Sequence, residues 1–204
     1  MFKRVAADAL GLSDIGEIID PQDFDKVDAD DYVMHEDNEK IYCLIKSKTD
    51  EYCFTNLALI HLDGTSALSK KRLLKRFSYH DHDIRDVLLE TAGTVDLDAE
   101  IKFSIGSTSY SIDVKKTQIE HLKDLYKTLY SISAIQKENS HHYRTAERSI
   151  ELTSNTVHRS SSSTTLEEQF KEINQHIFNW LHSARKAYCR KDYSEIYEKY
   201  INNQ

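Results

Sequence analysis

Between about residue 40 and residue 115 the sequence alternates between short β-forming runs and turn-forming residues, and this alternation most constrains the fold. Seven runs rich in β-branched and aromatic residues follow one another: "EKIYCLIK", "EYCFT", "LALIHL", "KRLLKRFSY", "DVLLET", "AEIKFSI" and "SYSIDVK". Turn-forming residues separate most of them, in "KSKTD", "DGTS", "AGTVD" and "GSTS". Because no helical pattern intervenes, the sequence predicts an antiparallel sandwich or small barrel of seven strands.

After Lys116 the hydrophobic period changes from that of a strand to that of a helix. Apolar residues recur at steps of three and four, at Ile119, Leu122, Leu125, Tyr126, Leu129 and Ile132. One apolar-faced helix placed after the strands can cover an open end of a barrel. We therefore predict an α+β domain over residues 1–136, with a short N-terminal helix, a seven-stranded antiparallel barrel and a capping helix.

Residues 137–204 carry a different pattern, which predicts a helical hairpin. Apolar residues step alternately by four and three, as in a coiled coil, at Leu166, Phe170, Ile173, Ile177, Trp180, Ala184 and Ala187. A weaker seam of the same period runs from Tyr143 to Val157, and residues 159–164 form a polar connection with Thr164 or Thr165 as the N-cap. A short stripe of Tyr193, Ile196, Tyr197 and Tyr200 ends the chain.

A two-helix hairpin has too little core to be stable alone, so its apolar seams need a partner. The partner is either the barrel of the same chain or another copy of the hairpin. We favour self-association, since both long seams lie outside the sheet domain. The predicted oligomer interface consists of Leu166, Phe170, Ile173, Ile177, Trp180 and Ala184.

The charges are segregated along the chain. The net charge is −7, yet residues 14–39 contain eleven acidic residues and one lysine, whereas residues 70–76 contain five basic residues. This acidic surplus argues against a nucleic-acid-binding protein, which needs a dominant basic face. Contacts between unlike surfaces of identical subunits are heterologous and can close into rings. We therefore expect residues 14–39 of one protomer to lie near Lys70, Arg72 and Arg76 of the next.

Two stretches, "CFTNLALIHLDG" (53–64) and "ETAGTVDLDAEIKFSIGS" (90–107), resemble the bacterial pleckstrin-homology-like (bacterial PH) domain family. The shared features are "FTN" at the end of a strand, a "DG" turn, and "TAG" with "DLDAE" before a late strand. The resemblance covers about residues 1–135. The appended helices are similar to those of YvbH-type members, which carry a helical hairpin beyond the barrel.

The resemblance implies a seven-stranded PH-like barrel closed by a C-terminal helix, and subunits that assemble into rings of high cyclic symmetry. It implies no enzymatic activity. Pleckstrin domains that bind phosphoinositides use basic residues around the loop between the first two strands. Here that loop offers Lys46 and Lys48 beside Asp50 and Glu51, so anionic lipid head groups are the alternative ligand.

Signatures of catalysis and of cofactor binding are absent from the sequence. Five glycines cannot form a dinucleotide-binding or phosphate-binding loop, and no Gly-x-Ser-x-Gly motif occurs. His80 and His82 could share a metal on one strand face but lack further ligands. Cys43 lies opposite Cys53 if residue 45 faces residue 51, whereas a slip of one residue leaves two buried thiols.

These observations predict a non-catalytic oligomeric scaffold that mediates protein–protein interactions with a partner not yet identified. No cofactor, metal or nucleic acid is expected. Three cysteines do not suit a disulfide scaffold, and neither a signal peptide nor an apolar stretch of about 18 residues occurs. We expect a cytoplasmic protein, peripheral to the membrane if it binds lipid.

Overall fold

The computed structural model describes residues 14–64, 72–91, 98–157 and 165–202. Three predicted features lie outside the described residues. They are the N-terminal helix, the basic residues Lys70 and Lys71, and the polar connection at 159–164.

Eight strands in the described residues form two antiparallel sheets. The strands are β1 (Glu17–Ile18), β2 (Ile41–Lys46), β3 (Glu51–Thr55), β4 (Ala58–Gly64), β5 (Arg72–Ser78), β6 (Ile84–Glu90), β7 (Asp98–Ile105) and β8 (Thr108–Lys115). The first sheet has the order β1-β2-β3-β4-β5 and the second the order β6-β7-β8.

The seven runs predicted from the sequence are β2 to β8, and the prediction of antiparallel strands followed by a helix is confirmed. The predicted strand number and closure need correction. Strand β1 is an eighth strand, and two residues inside an acidic segment are too few to show a strand pattern. The sheets are not closed into a barrel, because β6 pairs with β7 and leaves β5 at the edge of the other sheet.

The acidic segment consists of residues 14–39. After β1, it packs against one face of the five-stranded sheet. It forms three short 3₁₀ helices, Pro21–Lys26, Asp28–Tyr32 and His35–Asp37. Its apolar residues are buried in a cluster with residues of β2, β3 and β4, namely Val27, Ala29, Val33, Leu44, Cys53, Ile60 and Leu62. Burial of these side chains holds the segment on the sheet, since each fully buried valine or leucine contributes about 2 kcal/mol.

Helix α1 (Ile119–Val157) begins directly after a 3₁₀ turn that follows β8 and continues past the predicted domain boundary at residue 136. The predicted amphipathic pattern is confirmed, because Leu122, Leu125, Leu129 and Ile132 are fully buried. Ser133 Oγ donates a hydrogen bond to the carbonyl oxygen of Ile84 at 2.6 Å. The N-terminal half of α1 is thus part of the sheet domain.

Two further helices follow α1. Helix α2 (Leu166–Tyr188) starts at a capping box in which Thr165 Oγ1 accepts a hydrogen bond from Glu168 N, so Thr165 is the N-cap of the two predicted candidates. Helix α3 (Ser194–Tyr200) is short, and its Ile196 and Tyr197 are buried. Among the helices of the described ranges, none is both long and apolar enough to cross a membrane.

The chain divides into two compact units. The first consists of Met1–Ser133 with Lys191–Gln204, and the second of Ala134–Arg190. The boundary predicted between residues 136 and 137 stays a prediction. The C-terminal segment, which the sequence pattern grouped with the hairpin, is part of the first unit.

Candidate interaction surfaces

The apolar face of α2 is exposed. The steps of three and four place Phe170, Ile173, Ile177 and Trp180 on one side of the helix. The Phe170 side chain is 70% exposed and Trp180 is 49% exposed, whereas Ile173 and Ile177 are half-buried. Large apolar side chains exposed along one stripe are typical of an interaction surface.

A groove within the second unit continues this face. About 410 Å³ of open space is lined by residues of both helices, Ser149, Ile150, Thr153, Glu172, Ile173, His176, Ile177 and Trp180. A second groove of about 410 Å³ shares Ser149 and Trp180 with it and is lined by small residues that include Ala146 and Ala184. The two alanines are buried, so the seam between the helices is covered at these small residues. The hairpin therefore leaves the wider part of its seam uncovered.

The predicted interface residues of α2 thus fall into two groups. Phe170, Ile173, Ile177 and Trp180 lie on the exposed or half-buried part of the seam, and Ala184 lies in its buried part. The side chain of Leu166 lies outside the described residues. Their role in an oligomer interface stays a prediction.

The basic strand β5 faces carboxylates of its own chain. Arg72 Nη1 lies 2.8 Å from Asp28 Oδ2 and 3.3 Å from Glu51 Oε1. Glu51 is buried, and it also pairs with Lys46 Nζ at 2.6 Å and accepts a hydrogen bond from Ala29 N at 2.9 Å. These charge-assisted hydrogen bonds offset part of the cost of burying the carboxylate.

A second buried carboxylate, Glu39, repeats this arrangement beside Arg76. Arg76 Nη2 donates to Glu39 Oε1 at 2.9 Å and to Oε2 at 3.0 Å. Glu39 also accepts hydrogen bonds from Thr55 Oγ1 at 2.5 Å and Met34 N at 2.8 Å. The charge complementarity between the acidic segment and β5 is therefore present inside one chain. The additional role predicted for Lys70, Arg72 and Arg76 between protomers stays a prediction, with both arginines already paired.

The opposite face of β5 points toward the second sheet, as the alternation predicts. Lys75 Nζ lies 2.6 Å from Asp63 Oδ2, and the Phe77 ring meets the edge of the Tyr110 ring at 6.1 Å between centroids. The five basic residues of this region thus make no uniform patch in its described part. A strand of this kind is not a surface suited to phosphate recognition.

The loop after β2, the predicted site for an anionic head group, has acidic groups around it. Asp14 accepts hydrogen bonds from Lys48 N at 3.0 Å and from Thr49 Oγ1 at 2.7 Å. Burial alone would raise the pKa of Asp14, but these hydrogen bonds lower it below its ordinary value. Because Lys46 is paired with Glu51, the loop offers an anion less positive charge than its two lysines suggest.

A buried histidine that the sequence analysis did not single out lies between the sheets. His61 Nε2 is 2.9 Å from Asp50 Oδ1, and His61 Nδ1 is 3.3 Å from the Tyr110 hydroxyl. The Tyr52 ring stacks on the imidazole with centroids 4.5 Å apart. Burial lowers the pKa of His61 although Asp50 acts in the opposite direction, and burial raises the pKa of Tyr110. A histidine inside the apolar run "LALIHL" is the signal that could have found this site.

The two tyrosines of this cluster, Tyr52 and Tyr110, have raised pKa values. A tyrosine that attacks or transfers a proton near neutral pH needs a lowered pKa, whereas burial raises the pKa of both Tyr52 and Tyr110. The Asp50–His61–Tyr110 chain therefore satisfies polar groups at the end of the core and orients its rings.

The cysteines and histidines that the sequence offered as a disulfide or a metal site do not come together. Cys43 faces Phe54 and Leu44 faces Cys53, because the hairpin pairs Lys46 with Glu51, one residue away from the register that would place the two cysteines opposite each other. Both thiols are free and buried. His82 Nδ1 lies 3.2 Å from the carbonyl oxygen of Ser78. Within the described ranges, no group of three or more His, Cys, Asp or Glu side chains is arranged to hold a metal.

Comparison with known proteins gives two matches along the chain, the second of which includes the C-terminal segment that lies in the first unit. The family model described as Bacterial PH domain matches residues 9–133, and the one described as YvbH-like oligomerisation region matches residues 144–203. The chain is 58% identical over 204 residues to the uncharacterised protein YvbH of Bacillus subtilis (strain 168), with full coverage of both chains.

A solved structure is similar over nearly the whole chain. It is the crystal structure of a PH-domain-containing bacterial protein from Exiguobacterium sibiricum, with a TM-score of 0.86 and 52% identity. The match covers 93% of this chain and 100% of that one. The chain therefore belongs to the bacterial PH domain family and carries a YvbH-like oligomerisation region after its PH-like domain.

Proposed function

We propose that this protein is a non-catalytic scaffold that self-associates through its hairpin and presents its PH-like domains to a protein partner. The observation that carries the proposal is the exposed apolar face of α2, in which the Phe170 side chain is 70% exposed. The match of residues 144–203 to an oligomerisation region supports the same conclusion.

Aromatic residues, such as the two on this face, contribute most to protein–protein association. Buried aromatic residues dominate interface energies, and a tryptophan or phenylalanine buries about 150–250 Å² when it is covered. At about 25 cal/mol per Å² of apolar area, covering Phe170 and Trp180 contributes several kcal/mol. A second helix lying in the groove beside Ile177 would achieve this without rearranging the hairpin.

A closed ring is the finer form of this proposal. Exposed leucines also lie on the sheets, with Leu73 and Leu74 on opposite faces of β5 and Leu88 on β6, so each sheet edge offers a surface unlike that of α2. Both strands lie at the edges of their sheets. Two unlike surfaces on one subunit favour heterologous contacts, which form rings when the rotation closes. Many copies on one ring would raise the avidity for a partner without a strong single contact.

The test is the absolute mass of the protein in solution, measured by light scattering over a range of concentrations. We expect one mass, a fixed multiple of the chain mass, that persists on dilution. A mass equal to one chain at high concentration would contradict the proposal. Sedimentation with anionic vesicles tests the lipid alternative, which the carboxylates around Lys46 disfavour.

A further inference from the structure

The C-terminal segment, residues 191–202, binds a groove on the PH-like domain. Its Tyr193 and Tyr197 are almost completely buried, with 1% and 0% exposed surface, and Ile196 is 9% exposed. The segment reaches this position only after the whole second unit, so residues 134–190 separate it in sequence from the strands that it contacts.

Hydrogen bonds fix the segment at both of its ends. Tyr193 N donates to the carbonyl oxygen of Asn56 at 3.0 Å, just after β3. At the other end, the Tyr42 hydroxyl donates to Glu198 Oε1 at 2.8 Å. Burial, followed by the hydrogen bond to Glu198, raises the pKa of Tyr42 to about 12, so its phenol stays a donor at neutral pH.

Between these ends, aromatic rings and one buried hydroxyl pair define the fit. The Tyr79 and Tyr197 hydroxyls are 2.7 Å apart, and both side chains are buried. The Tyr42 ring stacks on the Tyr197 ring with centroids 4.8 Å apart, and Tyr79 meets Tyr193 edge to face at 5.9 Å. The buried residues of the segment are thus a tyrosine, an apolar residue three positions on and a second tyrosine directly after it.

The chemistry of this groove suits reversible binding. Tyrosine combines a large apolar ring with a hydroxyl that water can satisfy, which is why it is enriched at interfaces. If the segment leaves, the groove exposes the phenols of Tyr42 and Tyr79 rather than a purely aliphatic core. Water can then bond to these hydroxyls, which reduces the cost of exposing them.

We propose that this groove is a peptide-recognition site of the PH-like domain, that residues 191–202 are its resident ligand, and that the same segment of a second copy is its ligand in trans. The segment of a second copy has the same sequence and therefore fits the same groove. Exchange of identical elements between copies needs few new contacts. Exchange between copies rests on the self-association proposed above, whereas recognition of the segment by the groove does not.

The experiment uses a labelled peptide of residues 190–204 and the full-length chain. In the variant Ile196→Ala/Tyr197→Ala the resident segment is weakened, so we expect this chain to bind the peptide in fluorescence anisotropy. The wild-type chain should bind it at least about tenfold more weakly, because a tethered ligand competes at an effective concentration near the millimolar range. A peptide carrying Tyr197→Ala should bind neither chain.

The conservative variant Tyr197→Phe keeps the ring and removes only the hydroxyl that meets Tyr79. It should fold and bind the peptide with an affinity between those of the other two chains. If both variants show the native circular dichroism spectrum and neither binds the peptide, the groove is a fixed part of the core and the inference is wrong. Equal binding of the wild-type and Tyr197→Ala peptides would also overturn it.

Exchange between copies is tested by competition with a full-length chain in place of free peptide. An unlabelled Tyr79→Ala chain has a damaged groove and an intact segment, so it should displace the peptide from the Ile196→Ala/Tyr197→Ala chain. A Tyr79→Ala/Tyr197→Ala chain should not. Displacement by both chains, or by neither, rules out the trans ligand. If a chain that is monomeric by measured mass binds the peptide, the proposed self-association is wrong, but recognition of the segment by the groove still holds.

Discussion

Glu39 and Arg76 are 37 positions apart in the sequence, yet Arg76 Nη2 lies within hydrogen-bond distance of both carboxylate oxygens of Glu39. The Glu39 side chain has no exposed surface, whereas Arg76 is 26% exposed. The pair joins the end of the acidic segment to the edge strand β5. A negatively charged stretch is thus bound to the sheet of its own chain through the buried carboxylate of Glu39.

Removing the cation of this pair should destabilise the protein more than removing the whole pair. In Arg76→Met the buried Glu39 carboxylate loses its charge partner, which costs about 3 kcal/mol. The double variant Arg76→Met/Glu39→Gln leaves a neutral amide that still reaches Thr55 and Met34, so we expect it to be more stable than the single variant. Urea unfolding at one fixed protein concentration measures both.

The matched control is Lys123→Ala, which removes an ion pair with Glu120 on the exposed side of α1. Exposed pairs contribute little, so its urea midpoint should equal that of the wild type. If Arg76→Met also unfolds at the wild-type midpoint, the buried pair does not hold the acidic segment on the sheet.

The strands could be predicted from the sequence because alternation and turn residues are local signals. All seven predicted runs are strands, and the helix period after Lys116 is α1. The position of the acidic segment could not be predicted, because Val27, Ala29 and Val33 carry no information about the sheet face that buries them.

The same limit applies to the candidate surfaces. The heptad spacing predicts that Phe170 and Trp180 share a face of α2. Both side chains are exposed, because a hairpin of two helices is too small to cover them. The final stripe of tyrosines has the same local pattern as a hairpin helix. Its place in the first unit depends on Tyr42, Asn56 and Tyr79, which are more than a hundred residues away.

A charge on the apolar face of α2 should disrupt the proposed assembly. In Ile177→Asp, burying the carboxylate in a helix–helix contact costs about 2 kcal/mol or more, which weakens association about thirtyfold. Asn179→Asp adds the same charge at an exposed position on the far side of the helix and is the control. We expect the mass in light scattering to fall only for Ile177→Asp, with the strand signal in circular dichroism unchanged. Equal masses for the two variants would exclude this face.

The buried His61 should make stability decrease as the pH falls through 6.5, the ordinary pKa of histidine. Its pKa is lowered below the ordinary value of 6.5 in the folded chain. As the pH falls through 6.5, the unfolded state binds a proton that the folded state does not, so the free energy of unfolding decreases. In His61→Gln this decrease should be smaller, because the amide does not titrate. His121→Gln, at an exposed position of α1, should keep the wild-type slope. Parallel slopes for His61→Gln and the wild type would show that His61 does not contribute to this decrease.

The three cysteines should differ strongly in reactivity in the folded protein. Burial raises the pKa of Cys43 to about 12 and also raises the pKa of Cys53, so neither forms the thiolate that reacts with disulfide reagents near neutral pH. Cys189 is only partly buried. With an aromatic disulfide reagent we therefore expect one fast thiol per chain and two that react at the rate of unfolding. Cys189→Ser should abolish the fast phase, whereas Cys43→Ser should leave it unchanged. A fast phase that survives in Cys189→Ser would mean that β2 or β3 opens in the native state. If mild oxidation lowers the mass of the chain by two protons, Cys43 and Cys53 form a disulfide despite their register.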